Sequence, residues 1–332
     1  MVASALVLLT AVVGVPGARA ATDPGWDVTR IGGADRYATA AALSRHTFRN
    51  RTVQVLVASG EQFADALAAT PAASRLGAPL LLTRRDVVPA ATMTELRRLR
   101  PSVILLAGGT GVVSFAVEQQ LAGVARVARV AGADRFETAA KLSSTAFGTG
   151  VPVVFLAQGR AFPDALAAGA AAGRLQGPVL LVEQSSVPKV VAAELARLRP
   201  ARIVLVGGQS AVSDAVGRSI AHRHVDRVAG KDRYATAAAL ADQVPSRSSV
   251  ALIASGTSFP DALSAGPSAS ALGGTFALTG RQCLPTASAQ GMSDDGVREV
   301  LIIGGESAVP DAAADPCEPV VPATTTTIAP RP

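Results

Sequence analysis

The chain has 332 residues, with 31 Lys and Arg against 25 Asp and Glu, a formal net charge of +6, and only 4% aromatic residues. That balance favours polyanionic partners, while two Tyr and one Trp leave little for stacking bases, so nucleic acid is not the expected partner. Two Cys in neither a C-x-x-C nor another metal-ligand arrangement give no metal site, and no segment after the N-terminus reaches the roughly 18 uncharged apolar residues of a spanning helix.

Taken in chain order, residues 2–15 are apolar or small, and Ala18-Arg19-Ala20 precedes Ala21 as a small-residue cleavage pattern. Residues 1–20 therefore read as a secretory signal peptide, although no Lys or Arg precedes the apolar run. Its removal takes away Arg19 and leaves +5 on an exported protein. The first unit follows. Short β-branched runs at 28–31, 53–58, 80–83 and 103–107 predict strands, and Ala/Leu-rich stretches at 35–48, 64–76, 89–99 and 114–122 predict helices. The strands show little polar/apolar alternation, as expected of a parallel sheet covered by helices on both faces.

The same pattern then recurs twice. Arg30-Ile31-Gly32-Gly33-Ala34-Asp35-Arg36-Tyr37 returns as Arg129-Val130-Ala131-Gly132-Ala133-Asp134-Arg135-Phe136 and as Arg227-Val228-Ala229-Gly230-Lys231-Asp232-Arg233-Tyr234, with the Asp residues 99 and 98 positions apart. The segment with Phe63 and Asp65 returns with Phe162 and Asp164 and with Phe259 and Asp261; Gly108-Gly109 returns as Gly207-Gly208 and Gly304-Gly305. A period near 98 residues exceeds that of solenoids and allows each unit its own core, so three domains are expected, over 27–126, 127–224 and 225–317. In the third unit Cys283 and Cys317 form an even pair, which in an exported chain reads as a disulfide. The Pro/Thr-rich residues 318–332 read as a disordered tail.

In a parallel sheet, the loops carrying Asp35-Arg36, Phe63 and Asp65, Arg84-Arg85 and Gly108-Gly109 lie together beyond the carboxyl ends of the strands, where open α/β sheets bind ligands. Structural roles are equally available. Asp35, Asp134 and Asp232 are placed to cap helices, and so are Asp65, Asp164 and Asp261. The Gly pairs permit positive φ, and Arg36, Arg135 and Arg233 can pair with an aspartate within a domain or across to the next.

These motifs resemble the type-2 cell-wall-binding repeat of bacterial surface proteins: the R-[IV]-x-G-x-D-R-[YF]-x-T-A opening, the F-[AP]-D-A-L segment, a Pro-Leu-Leu run on the third strand, and a strand ending in Gly-Gly. The resemblance covers roughly residues 28–317. It implies three tandem α/β domains of Toprim-like fold, each a mainly parallel sheet flanked by helices, around a pseudo-threefold axis. It further implies non-covalent anchoring to an anionic wall polysaccharide or teichoic-acid-like polymer. It assigns polymer binding to Pro79, Leu80, Leu81 and Leu82 and to Pro178, Val179, Leu180 and Leu181, which also read as buried strands. The third unit departs, with Gly274-Thr275-Phe276-Ala277-Leu278-Thr279. Arg36, Arg84, Arg85, Arg135 and Arg233 would supply charge.

Enzyme readings find less support. The Asp-x-Asp of a magnesium-dependent Toprim site does not occur, nor do G-x-S-x-G or G-x-x-x-x-G-K-[ST]. Gly109-Thr110-Gly111 approaches a dinucleotide fingerprint, but the second Gly is lost in the other units. His222-Arg223-His224 has no counterpart elsewhere and reads as a solvated helix end. No cofactor is expected. A wall-polymer hydrolase using Asp35 and Asp65, or a surface-assembly protein with mainly protein partners, are the alternatives to an anchor.

Overall fold

The computed structural model describes residues 24–160, 163–244, 248–318 and 320. The signal segment 1–20, Phe162 and the tail beyond 320 lie outside them. Three four-stranded parallel sheets are flanked by helices. The first comprises β2 (Gln54–Ser59), β3 (Leu80–Thr83), β4 (Val103–Ala107) and β5 (Arg126–Val130); the second β6 (Val153–Gln158), β7 (Val179–Val182), β8 (Arg202–Val206) and β9 (Val225–Val228); the third β10 (Val250–Ser255), β11 (Thr275–Thr279), β12 (Glu299–Ile303) and β1 (Asp27–Ile31).

The strand that opens each sequence repeat therefore belongs to the sheet of the repeat before it. β5 pairs with β4, β9 with β8, and β1 crosses the whole chain to pair with β12, for example Arg30 with Ile302. This corrects the expectation that 28–31 shares a sheet with 53–58. Each sheet is completed by its neighbour, and the three close into a ring.

The connecting helices are α1 (Arg36–Thr47), α2 (Phe63–Arg75), α3 (Ala90–Leu99), α4 (Phe115–Ala122), α5 (Arg135–Ala146), α6 (Pro163–Arg174), α7 (Lys189–Leu198), α8 (Asp214–Ser219), α9 (Arg233–Ala241), α10 (Phe259–Leu272) and α11 (Thr286–Asp294), with a final 3-10 turn at Asp311–Ala314. The Asp-Ala-Leu helices α2, α6 and α10 contact one another at the centre. Their Ala-rich faces let the backbones approach, and Leu67, Leu166 and Leu263, one per helix, are buried there in a single apolar cluster that runs through all three domains. The units thus share a central apolar cluster that the expectation of a separate core for each did not include. The outer faces of the first and third sheets have clusters of their own, around Leu96 and Ile104 and around Trp26 and Met292.

Leu80, Leu81, Leu82, Val179, Leu180 and Leu181 are fully buried, and Pro79 and Pro178 are buried beside them. Direct contact between these side chains and an external polymer is therefore corrected to a packing role: the strands are covered on both faces. Cys283 and Cys317 are joined, 34 residues apart, and fasten the end of the third domain.

Candidate functional site at the domain joints

The repeated opening motif forms the joint between one domain and the next. Its first Arg reaches back to the Gly-Gly loop of the preceding sheet. Arg129 Nη1 donates to the carbonyls of Gly108 and Val113, both at 2.8 Å, and its Nε to Glu118 at 2.8 Å. Arg227 donates to the Gly207 carbonyl at 2.7 Å and to Asp214 at 2.8 Å. Arg30 donates to the carbonyls of Gly304 at 2.9 Å and Val309 at 2.7 Å, and pairs with Asp311. The second Arg reaches forward: Arg36, Arg135 and Arg233 donate to the carbonyls of Gly60, Gly159 and Gly256 at 2.6, 2.7 and 2.7 Å. The ring of Tyr37, Phe136 or Tyr234 lies so close to that same glycine that a Cβ there would fall 2.4–2.8 Å from it.

Asp35, Asp134 and Asp232 cap the next helix as expected. Asp35 accepts from the Tyr37 and Ala38 N–H groups, Asp134 from that of Glu137, and Asp232 from those of Tyr234 and Ala235. Asp65 and Asp261 do not cap, because Gln62 and Ser258 occupy the N-cap positions of α2 and α10 and the aspartates are the third residues of these helices, within the first turn. Asp164 likewise lies in the first turn of α6. Asp65 and Asp261 are 7% and 8% exposed. Each of the three sits under the first glycine of its own Gly-Gly pair, at φ of 108°, 88° and 129° for Gly108, Gly207 and Gly304. A Cβ at these glycines would lie 2.7, 2.4 and 3.0 Å from the aspartate Oδ2. Positive φ and this close approach both call for glycine. Among the described residues, the second glycines, Gly109, Gly208 and Gly305, have no atom within van der Waals reach of a Cβ except the Gly33 carbonyl near Gly305.

Across each joint the aspartate meets the Arg of the following repeat, and Asp164 and Asp261 meet its Thr as well. Burial pushes the Asp65 carboxyl up to about 6 against the pull of Arg135. Burial does the same to Asp261, also up to about 6, against Arg36 and a hydrogen bond from Thr39, while Asp35 adds to the rise. Asp164 is raised by burial, against Thr236 and Arg233. The Asp261 Oδ1 is buried and has no hydrogen-bond partner among the described residues. The carboxylate facing Asp35 is thus Asp261, not the Asp65 of the hydrolase alternative.

Above Asp261 the joint opens as a cleft of about 200 Å³ lined by Gly33, Asp35, Arg36, Pro260, Gly305 and Ser307 among others. Arg84 stands nearby and exposed, its guanidinium 3.8 Å from Asp35 and 4.9 Å from the centre of the Tyr37 ring; Arg85 is exposed beside it. At the joint between the first and second domains the protein fills its own loop: Glu137 Oε2 accepts from the Ala133 N–H at 2.6 Å. The other joints carry Ala38 and Ala235 where Glu137 stands, so the N–H groups of Ala34 and Lys231 meet no such carboxylate among the described residues. Sequence reasoning assigned no role to the Arg30, Arg129 and Arg227 set or to this Ala/Glu difference, although both are visible when the three copies are aligned.

The profile of Cell wall binding domain 2 (CWB2) matches residues 30–118, 129–217 and 227–314. The chain belongs to this cell-wall-binding family. It is 27% identical over 289 residues to the N-acetylmuramoyl-L-alanine amidase LytC of Bacillus subtilis (strain 168), covering 87% of this chain and 57% of LytC. It is 28% identical over 281 residues to the amidase enhancer of the same organism, covering 84% of this chain and 38% of that protein. Among solved structures, Cwp6 from Clostridium difficile superimposes with a TM-score of 0.79 at 27% identity, over 87% of this chain and 48% of that one. Cwp8 from the same organism shares the fold, with a TM-score of 0.75 at 24% identity over 86% of this chain and 50% of that one. The chain spans between 38% and 57% of the length of these relatives.

Proposed function

We propose that the chain is a non-catalytic anchor that holds an anionic glycopolymer of the cell wall through its repeated joints, the two open loops at Ala34 and Lys231 each contributing a moderate contact that linkage converts into avidity. The observation that carries this reading is Glu137. A carboxylate of the protein itself occupies the loop N–H of Ala133, so the same loops at Ala34 and Lys231 have the geometry to take a carboxylate or phosphate of a polymer. Charge attraction comes from Arg84 and Arg85, which are exposed, whereas Arg36, Arg135 and Arg233 are half-buried and act mainly by holding the loops. Placement at the cell wall or surface after export follows from the same reading.

Retention of the protein on purified walls, with and without their anionic glycopolymer, tests it. Retention is expected to fall several-fold on stripped walls and with rising salt. The pair Ala38→Glu and Ala235→Glu, which supplies the blocking carboxylate to both open loops, is expected to weaken it comparably. Equal retention on intact and stripped walls would reject polymer recognition.

A further inference from the structure

The three domains differ in how they cover the loop that enters the third helix of the unit. In the third domain a piece of main chain lies on it. The Leu284 N–H donates to the Asp315 carbonyl at 2.7 Å, the Cys317 N–H donates to the Leu284 carbonyl at 2.9 Å, and Leu284 and Pro316 form a parallel bridge. The Cys283–Cys317 disulfide ties that segment down, and Glu318 accepts from Thr286 Oγ1 at 3.2 Å. In the first domain the equivalent residue is Val88, and a side-chain amide replaces the peptide: the Val88 N–H donates to Gln120 Oε1 at 3.0 Å, and Gln120 Nε2 donates to the Asp86 carbonyl at 3.5 Å. Leu284 and Val88 are both buried.

In the second domain the equivalent Val187 has neither cover. Ser219, at the end of the shortened α8, stands where Gln120 does, and its hydroxyl turns back to the Val216 carbonyl at 2.8 Å. The Val187 N–H has no partner among the described residues. A groove of about 370 Å³ opens there, lined by Val187, Leu195, Ala196, Ile203 and Ile220. Lys189, Arg199, Arg218 and Arg223 around it are exposed and have no carboxylate partner among the described residues, whereas Arg202 and Arg227 are paired with Asp226 and Asp214.

We propose that this groove docks an extended acidic peptide segment of a partner protein, held by the main-chain pairing that Asp315–Cys317 makes in the third domain. The reasons are three. The free Val187 N–H offers the donor that Leu284 offers to Asp315, which is how a peptide adds to an exposed backbone edge. The apolar floor takes one side chain of the segment. Lys189 occupies the place of Thr286, so a carboxylate at the position of Glu318 meets an ammonium, and the unpaired arginines favour further acidic residues. The segment already seated in the third domain, with Asp315 and Glu318, serves as the template.

The test is fluorescence anisotropy of the full chain with a labelled peptide of residues 313–320 carrying Cys317→Ser. Saturable binding is expected at concentrations below about 1 mM, corresponding to about −4 kcal/mol or better. Ser219→Gln, which installs the amide plug of the first domain, is expected to weaken binding at least tenfold without lowering the unfolding midpoint. Lys189→Glu is expected to weaken it about tenfold, and a peptide carrying Asp315→Lys and Glu318→Lys is expected not to bind. Lack of saturable binding, unchanged affinity in either protein variant, undiminished binding of the reversed-charge peptide, or preference for a neutral alkyl detergent over the peptide would overturn the proposal.

Discussion

Gly266→Ala is expected to destabilise the protein, and Thr70→Ala is expected to cancel most of that loss. Thr70, Gly169 and Gly266 occupy one position in the three helices that meet at the centre, so a single threonine fills the space that three would contest. Thr70 Oγ1 donates to the Ala66 carbonyl at 3.0 Å and across to the Leu263 carbonyl at 3.2 Å, which holds its rotamer. A Cβ at Gly266 would lie 2.4 Å from Thr70 Cγ2, whereas at Gly169 it would lie 3.1 Å away. In an open helix Gly→Ala gains up to about 1 kcal/mol; here overpacking should outweigh that gain and leave a net loss of about 1–3 kcal/mol. In the Thr70→Ala background the obstacle is gone, so the same substitution should be neutral or stabilising. Urea unfolding of the four proteins in the double-mutant cycle reads the coupling directly. A Gly266→Ala protein more stable than wild type would contradict the packing at the axis.

Much of this architecture was legible in the sequence. β3 and β4 begin and end where the apolar runs 80–83 and 103–107 do, and the absence of alternation in Leu80-Leu81-Leu82 already marked a strand covered on both faces. The capping role of Asp35, Asp134 and Asp232 followed from a short acidic side chain just before an Ala-rich helix. What local pattern could not supply was long-range pairing. In a tandem repeat, a strand at 28–31 has the same periodicity whether it joins its own sheet or the neighbour's, and only the chain's closure, with β1 beside β12, settles the choice. The same limit explains the aspartates of the Asp-Ala-Leu segments. A carboxylate in the first turn looks like a cap or a dipole partner, and nothing nearby in sequence announces that Gly108 or Gly304, some 40 residues on, will roof it over. The opening motif illustrates both sides. Its recurrence was unmistakable, yet its role as a two-sided clasp, with Arg129 reaching back and Arg135 reaching forward, depends on which sheets it joins.

The buried joint carboxylates should make the protein more stable at pH 5 than at pH 8. Asp65 and Asp261 have an ordinary value of 3.8 when exposed in the unfolded chain and are pushed up to about 6 in the fold, first by burial. A group raised in this way contributes stability that is complete below about pH 4 and is lost as the pH climbs through about 6, because the folded protein then holds two desolvated charges that the unfolded chain solvates. A rise of about 2 units corresponds to about 2–3 kcal/mol for each site. Asp164 and Asp242 are raised as well, by burial first, and act in the same direction. Glu137 and Glu183 are lowered by hydrogen bonds, from the Ala133 N–H and from Arg160 respectively, and oppose the trend only in more acid solution. Roughly half of that loss, about 1–1.5 kcal/mol for each site, falls between pH 5 and pH 8, and denaturant midpoints at the two values measure it. Asp65→Asn with Asp261→Asn keeps the shape of the side chains and removes the ionisation, so the double variant should lose most of the pH dependence and exceed wild type in stability at pH 8. Equal wild-type midpoints at the two pH values, or a variant that keeps the full slope, would show that Arg135, Arg36 and Thr39 compensate the buried charge and that the joints do not sense protons.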